Sequence, residues 1–256
     1  MRLLKEDRNV RVDSVTIGID GKPVIIAGPC SVEGRDQIIE IAKAVKEVGA
    51  TMLRGGVFKP RTNPYDFQGL GLEGLEYMLE AKKITGLPIV TELMDDKYLD
   101  IFVDKVDVIQ IGSRNMYNYA LLRAVGETKK PILLKRGISA TIKEWIMAAE
   151  HIAKAGNDQI ILCERGIRTY EDYTRNTLDL TAVPIMKRET GLPVIVDPSH
   201  GTGRRDLIEV MSKAAIACGA DGLIIEAHTS PDLAVSDKEQ TIDIETLRQL
   251  IKGLPL

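Results

Sequence analysis

Short apolar runs rich in Val and Ile recur along the chain: VIIAG at 24–28, TMLRG at 51–55, PIVTE at 88–92, DVIQIG at 107–112, PILLK at 131–135, QIILCE at 159–164, PVIVD at 193–197 and DGLIIE at 221–226. Their apolar residues are continuous rather than alternating, which predicts strands covered on both faces. Between them, residues 37–49, 72–86, 142–156 and 207–219 carry apolar residues at helical spacing. Glycines stand just ahead of several of the following runs, at Gly49, Gly86, Gly156, Gly191 and Gly219, where helix C-termini favour them. Buried strands alternating with helices predict parallel pairing through right-handed crossovers. Eight such units predict a closed (β/α)8 barrel, an α/β fold in one domain spanning residues 1–256. An open doubly wound sheet is the alternative, but it ordinarily has fewer strands, and no GxGxxG follows the first run.

Ahead of the barrel, VTIGIDGKPVII alternates with period two around Asp20-Gly21. This predicts an N-terminal hairpin within about residues 1–23, leading into the first barrel strand and capping the barrel's bottom. No other repeat, low-complexity segment or linker is visible. The chain is expected to stop after its eighth helix with no appended regulatory domain, and so to escape inhibition by phenylalanine or tyrosine.

In a barrel the loops after the strands share one rim, where function collects. That rim would gather Cys30, Arg54 with the KPRT loop, Glu92, Ser113 and Arg114, Lys135 and Arg136, Glu164 and Arg165, Asp197 and His200, and Glu226 and His228. The opposite rim carries turn-like GLP, GA and KKP segments.

Net charge sharpens this picture. At −3 the chain has no general attraction for nucleic acid or an anionic membrane, so a local cluster of cations points to a small anionic ligand. Arg54, Lys59, Arg61, Arg114, Lys135, Arg136 and Arg165 are expected to converge on one mouth, enough charge for phosphate and carboxylate groups together. Cys30, His200, Glu226 and Asp237 offer a thiolate, an imidazole and two carboxylates, a donor set suited to manganese, iron, cobalt or zinc rather than magnesium or calcium. Cys163 and Cys218 lie in apolar runs and read as core, and Trp145 reads as packing. His151 reads as helix surface, and Arg204-Arg205 as the start of a helix near the rim. Three widely spaced cysteines suggest no disulfide framework and fit a reducing, cytoplasmic setting, and the N-terminus lacks a signal-peptide core.

Taken together, AGPCSVE, LRGG…KPRT, KRG, CERG, PSHGTG, EAH and SDKEQT resemble the 3-deoxy-D-arabino-heptulosonate 7-phosphate synthase family in its short, undecorated form. That family shares a superfamily with 3-deoxy-D-manno-octulosonate 8-phosphate synthase. The resemblance implies a divalent-metal-dependent transferase that condenses phosphoenolpyruvate with erythrose 4-phosphate, the entry step of the shikimate pathway. It implies Cys30, His200, Glu226 and Asp237 as metal ligands. Arg54, Lys59 and Lys135 would hold the phosphoenolpyruvate carboxylate, and Arg114, Arg165 and Lys135, with Ser113, its phosphate. Lys59, Pro60, Arg61 and Thr62 would receive erythrose 4-phosphate. Lys59, Glu92, Lys135 and His200 would be catalytic, with Lys59 or a metal-bound water as the proton donor and Glu92 beside the attacking water. A homo-oligomer, tetramer or dimer, is implied as well.

Three rivals bear on the function. The octulosonate synthase, which uses arabinose 5-phosphate, has KANR where this chain has KPRT, and Pro60 limits room for the longer sugar. A non-catalytic barrel that senses phosphorylated metabolites predicts a missing ligand or cation at the rim. A different metal-dependent aldolase has no use for so many cations.

Overall fold

The computed structural model describes residues 6–61 and 63–255. Strands β1 (Asn9–Val12) and β2 (Val15–Gly18) form an antiparallel pair. Strands β3 (Val24–Gly28), β4 (Met52–Arg54), β5 (Ile89–Glu92), β6 (Val108–Ile111), β7 (Ile132–Lys135), β8 (Ile160–Glu164), β9 (Val194–Val196) and β10 (Gly222–Glu226) close into a barrel of eight parallel strands. Each lies within its predicted run. Helices follow in turn: α1 (Arg35–Glu47), α2 (Leu72–Thr85), α3 (Leu99–Lys105), α4 (Tyr119–Gly126), α5 (Ile142–Lys154), α6 (Ala182–Thr190), a short α7 (Pro198–Thr202), α8 (Arg205–Ala217) and α9 (Ile244–Lys252). The α2 and α6 helices end on Gly86 and Gly191 in the left-handed conformation, as their sequences predict.

Two cores follow from the two faces of the sheet. Outward residues such as Ile25, Leu53, Ile109, Leu134 and Leu162 pack under the helices. Inward residues Val24, Ile26, Met52, Val90, Val108, Leu133, Ile161, Cys163, Ile195 and Ile224 fill the barrel. Trp145 lies in the outer core, with its Nε1 donating to the Leu134 carbonyl at 3.3 Å, so it packs as expected.

At the lower rim two acids brace the strand entries. Asp107 accepts the Ile89 amide at 2.8 Å and Lys82 Nζ at 2.6 Å. Asp221 accepts the Val194 amide at 2.8 Å and Lys187 Nζ at 2.7 Å. The predicted hairpin is present and plugs this end, with Val10, Val12 and Ile17 packed among the inward barrel residues. Its turn is at Asp13-Ser14, where Asp13 takes φ 51°, and not at Asp20-Gly21. Asp20-Gly21 instead redirects the chain into β3, which is parallel to its neighbours and cannot pair back onto β2.

Replacing Ile17 with Ala should open a void under the barrel floor and cost about 2–5 kcal/mol, measured as a lowered urea midpoint with an unchanged slope.

Candidate active site

Side chains alternate between the two faces of a strand, so each inward apolar residue predicts another inward residue two positions on. Met52, Val90, Val108, Leu133, Cys163, Ile195 and Ile224 all point into the barrel. Two residues further lie Arg54, Glu92, Gln110, Lys135, Arg165, Asp197 and Glu226, which form a polar layer over the apolar floor.

This layer is organised by two buried carboxylates. Glu226, 1% exposed, accepts Arg54 Nη1 at 2.6 Å, and its Oε1 stands 3.4 Å from His200 Nε2. Asp197, also 1% exposed, accepts Lys135 Nζ at 2.5 Å and bonds His200 Nδ1 at 2.7 Å. Asp197 in addition accepts the His200 amide at 2.9 Å as the N-cap of α7, so the rotation of the imidazole is set from two sides. Burial alone would raise both carboxyls, but His200 with Lys135 at Asp197, and His200 with Arg54 at Glu226, hold them below the usual carboxylate range.

Beside His200 the ligand atoms of Cys30, Glu226 and Asp237 lie within 4.8 Å of one another. Cys30 Sγ is 3.1 Å from Asp237 Oδ2 and receives Lys59 Nζ at 2.9 Å. His200 reaches this trio only through Glu226, so three of the four sequence-predicted ligands meet at one point and the fourth stands beside it. Burial, reinforced by Glu226 and Asp237, pushes the Cys30 thiol up to about 12. Burial opposes ionisation of Asp237 too, yet His200, Lys59 and Arg175 hold it well below the usual carboxylate range. A thiol and carboxylates crowded this closely are a donor set that a borderline divalent cation would stabilise, by displacing the thiol proton.

Above lies a cleft lined by Arg54, Lys59, Arg61, Arg114, Lys135, Arg165, Arg168 and Arg175 against two acids, Glu92 and Asp237. Pro60, Gln110, Ser113 and His200 line it as well. Glu92 is held by Gln110 Nε2 at 3.2 Å and lies so close to Gly112 that a Cβ there would sit 2.1 Å from its Oε1. Phe58, just before Lys59, stacks on Tyr98 at 4.7 Å, which anchors the KPRT loop to the neighbouring segment. Arg61 Nε donates to the Phe67 carbonyl at 3.2 Å, and Thr62 lies outside the described residues.

The profile of the DAHP synthetase I family matches residues 5–254. The chain belongs to that family. Phospho-2-dehydro-3-deoxyheptonate aldolase of Thermotoga maritima is 51% identical over 97% of this chain and 73% of its own length. A crystal structure of that enzyme superposes with a TM-score of 0.94 at 49% identity, covering 98% of this chain and 76% of the other. A 2-dehydro-3-deoxyphosphooctonate aldolase of a Bradyrhizobium species is more distant, 34% identical over 96% of this chain and 91% of its own.

In this DAHP synthetase I chain, Arg136 departs from expectation. It follows inward Lys135 and therefore points outward, away from the mouth. There it donates to Glu164 and Asp179, each at 2.9 Å, and to the Ala140 carbonyl at 3.0 Å, with its guanidinium over the Trp145 ring. Glu164 is outward for the same reason and accepts the Gly166 amide at 2.7 Å. His228 turns towards α1, 3.3 Å from Gln37. Cys163 is buried as expected, but Cys218 is exposed, because it caps the end of α8 on the outer surface. His151 is half-buried and stacks on Tyr119. Arg204 and Arg205 pair with Asp206 and Asp232 outside the cleft. Sequence reading missed Gln110, Arg168, Arg175 and Asn176 as cleft residues. The polar Gln110 inside an apolar run was a usable signal; the arginines sit on an irregular loop with no periodicity to read.

Arg136→Met should leave Glu164 buried without its partner and cost about 3–5 kcal/mol of stability, seen as a lowered urea midpoint. In metal-free protein at pH 8, a thiol of pKa about 12 is ionised to only about one part in 10⁴. Iodoacetamide should therefore modify exposed Cys218 long before Cys30, as followed by peptide mass spectrometry.

Proposed function

We propose that this chain condenses phosphoenolpyruvate with erythrose 4-phosphate and water, yielding 3-deoxy-D-arabino-heptulosonate 7-phosphate and inorganic phosphate, the first step of the shikimate pathway. The observation that carries this reading is the charge of one cleft, whose six arginines and two lysines meet, among the described residues, only Glu92 and Asp237 along its lining. Even with the neighbouring Glu226 and Asp197 subtracted, four positive charges remain, which suits two phosphates and a carboxylate.

Arg165 supports the same reading. It is 5% exposed and among the described residues has no carboxylate ion pair, its Nη1 reaching only the Gly166 carbonyl at 3.3 Å. Burial lowers its pKa, so an anion bound there would relieve an unfavourable charge. We assign the phosphoenolpyruvate phosphate to Arg165, Arg114 and Lys135 with Ser113, and its carboxylate to Arg54, Lys59 and Lys135. Arg54 has a buried Nε with no partner among the described residues, a donor left over for this purpose. Erythrose 4-phosphate is assigned to Lys59, Pro60, Arg61 and Thr62.

Cys30, His200, Glu226 and Asp237 would hold a divalent ion of the manganese, iron, cobalt or zinc class, which when bound supplies Lewis-acid polarisation of the aldehyde. In the reaction, C3 of phosphoenolpyruvate adds to the aldehyde carbon and C2 takes up water; the hemiketal phosphate then loses inorganic phosphate by C–O cleavage. Lys59 donates the proton to the new hydroxyl. Burial opposes its charge, but Cys30 and Glu226 outweigh that and raise its pKa, so the proton is present at neutral pH. Glu92, steadied by Gln110, serves the water that attacks C2. His200, fixed by Asp197, keeps its Nε2 towards Glu226. The free Cys30, Cys163 and Cys218 support a cytoplasmic setting, and we assign a homo-oligomeric state, tetramer or dimer, from the family resemblance.

Phosphate release from phosphoenolpyruvate should be faster with erythrose 4-phosphate than with arabinose 5-phosphate; a preference for the pentose phosphate would overturn the assignment. Arg61→Ala should raise KM for erythrose 4-phosphate about 10- to 100-fold, the loss expected for a charge-assisted hydrogen bond, with a much smaller effect on phosphoenolpyruvate.

A further inference from the structure

Besides Arg168, the loop after β8 contributes to the cleft two residues that no motif announced, Arg175 and Asn176. They face two ways. Towards α7, which carries His200, the Arg175 amide donates to the Thr202 carbonyl at 2.8 Å and the Asn176 amide to the Gly201 carbonyl at 3.2 Å. Buried Asn176 adds its Nδ2 to the carbonyl of His200 itself at 2.8 Å. In the other direction, Arg175 Nη1 reaches the loop after β10, donating to Gln240 Oε1 at 2.7 Å and lying 3.3 Å from Asp237 Oδ1. Gln240, 2% exposed, passes the contact on, its Nε2 donating to Glu226 Oε2 at 2.7 Å.

We infer that Arg175 and Asn176 form a positioning unit that clamps the segments bearing His200, Glu226 and Asp237 at a fixed separation, with Arg175 orienting the Asp237 carboxylate for a cation. The inference rests on the metal-binding reading above. Asp237 stands in the left-handed region, φ 52° and ψ 32°, a less common conformation for a non-glycine residue that neighbouring contacts help to hold. Arg175 takes Oδ1, and Oδ2 is thereby turned to Cys30 at 3.1 Å. Groups that hydrogen-bond to a ligand in this way fix its orientation, and their loss typically weakens metal binding about 10- to 100-fold.

The sign of the effect separates this role from simple electrostatics. A guanidinium beside a cation site repels the ion, so charge alone predicts tighter binding once Arg175 is removed. Orientation predicts the reverse. The test is a cobalt titration of metal-free protein against a competing chelator, with the thiolate-to-cobalt absorption band as a second readout. If the wild type binds no cobalt and shows no band, the metal-binding reading itself falls. Given a binding wild type, Arg175→Met should raise the cobalt Kd about 10- to 100-fold and alter the band, while leaving the metal-free melting temperature unchanged; Arg175→Lys should recover part of the affinity. Unchanged or tighter binding by Arg175→Met would overturn the inference. So would weaker binding accompanied by a lowered metal-free melting temperature and no rescue by Lys, which marks a merely structural role. Gln240→Leu reads the same bridge from its other end and should weaken cobalt binding in the same direction.

Discussion

The polar layer at the upper rim is organised around two buried carboxylates, Glu226 and Asp197. Arg54 and Lys135 are 5% and 4% exposed, and an unpaired charge so buried costs several kcal/mol. Each is instead paired with one of these carboxylates, and His200 stands between the two acids, bonded to Asp197 and close to Glu226. The cations are thereby held in place without a substrate. Arg165 has no such partner among the described residues, so the layer is neutralised at Arg54 and Lys135 and keeps an uncompensated positive charge at Arg165.

Closure of the barrel makes this arrangement affordable in conformational terms. The apolar residues below the polar layer, and the hairpin residues Val10, Val12 and Ile17 beneath them, hold the strand ends at fixed separations. The helix-facing side contributes its own ion cluster, Arg136 with Glu164 and Asp179 under Trp145, which ties the loops after β7 and β8 together immediately behind Lys135 and Arg165. At the ends of β7 and β8 the inward side carries Lys135 and Arg165, which meet the cleft, and the outward side carries Arg136 and Glu164, which brace it.

How far the sequence could be read follows from the kind of regularity each part possesses. Eight buried strands announce themselves as continuous apolar runs, and each ends close to where its composition changes. The same continuity hides which way a side chain points: a strand covered on both faces shows no polar alternation, so Lys135 and Arg136 look equivalent although one enters the site and the other braces it. Counting in twos from an inward apolar residue separates them, but which parity is inward depends on the closed barrel. The hairpin turn shows the same limit: Asp20-Gly21 is a turn, but β2 pairs with β1 while β3 joins the parallel barrel between β10 and β4.

From the sequence alone came the order of the eight barrel strands with four of the helices between them, the family, and the residue types gathered at one rim, because these depend on local periodicity and on motifs a few residues long. It took the folded chain to show that Cys30, Glu226 and Asp237 share one point, that Asp197 sets His200, and that Arg175 and Gln240 bridge the loops after β8 and β10. Those partners lie tens to hundreds of residues apart on irregular loops. Their contacts exist because barrel closure brings chain ends together, and no local pattern encodes that distance.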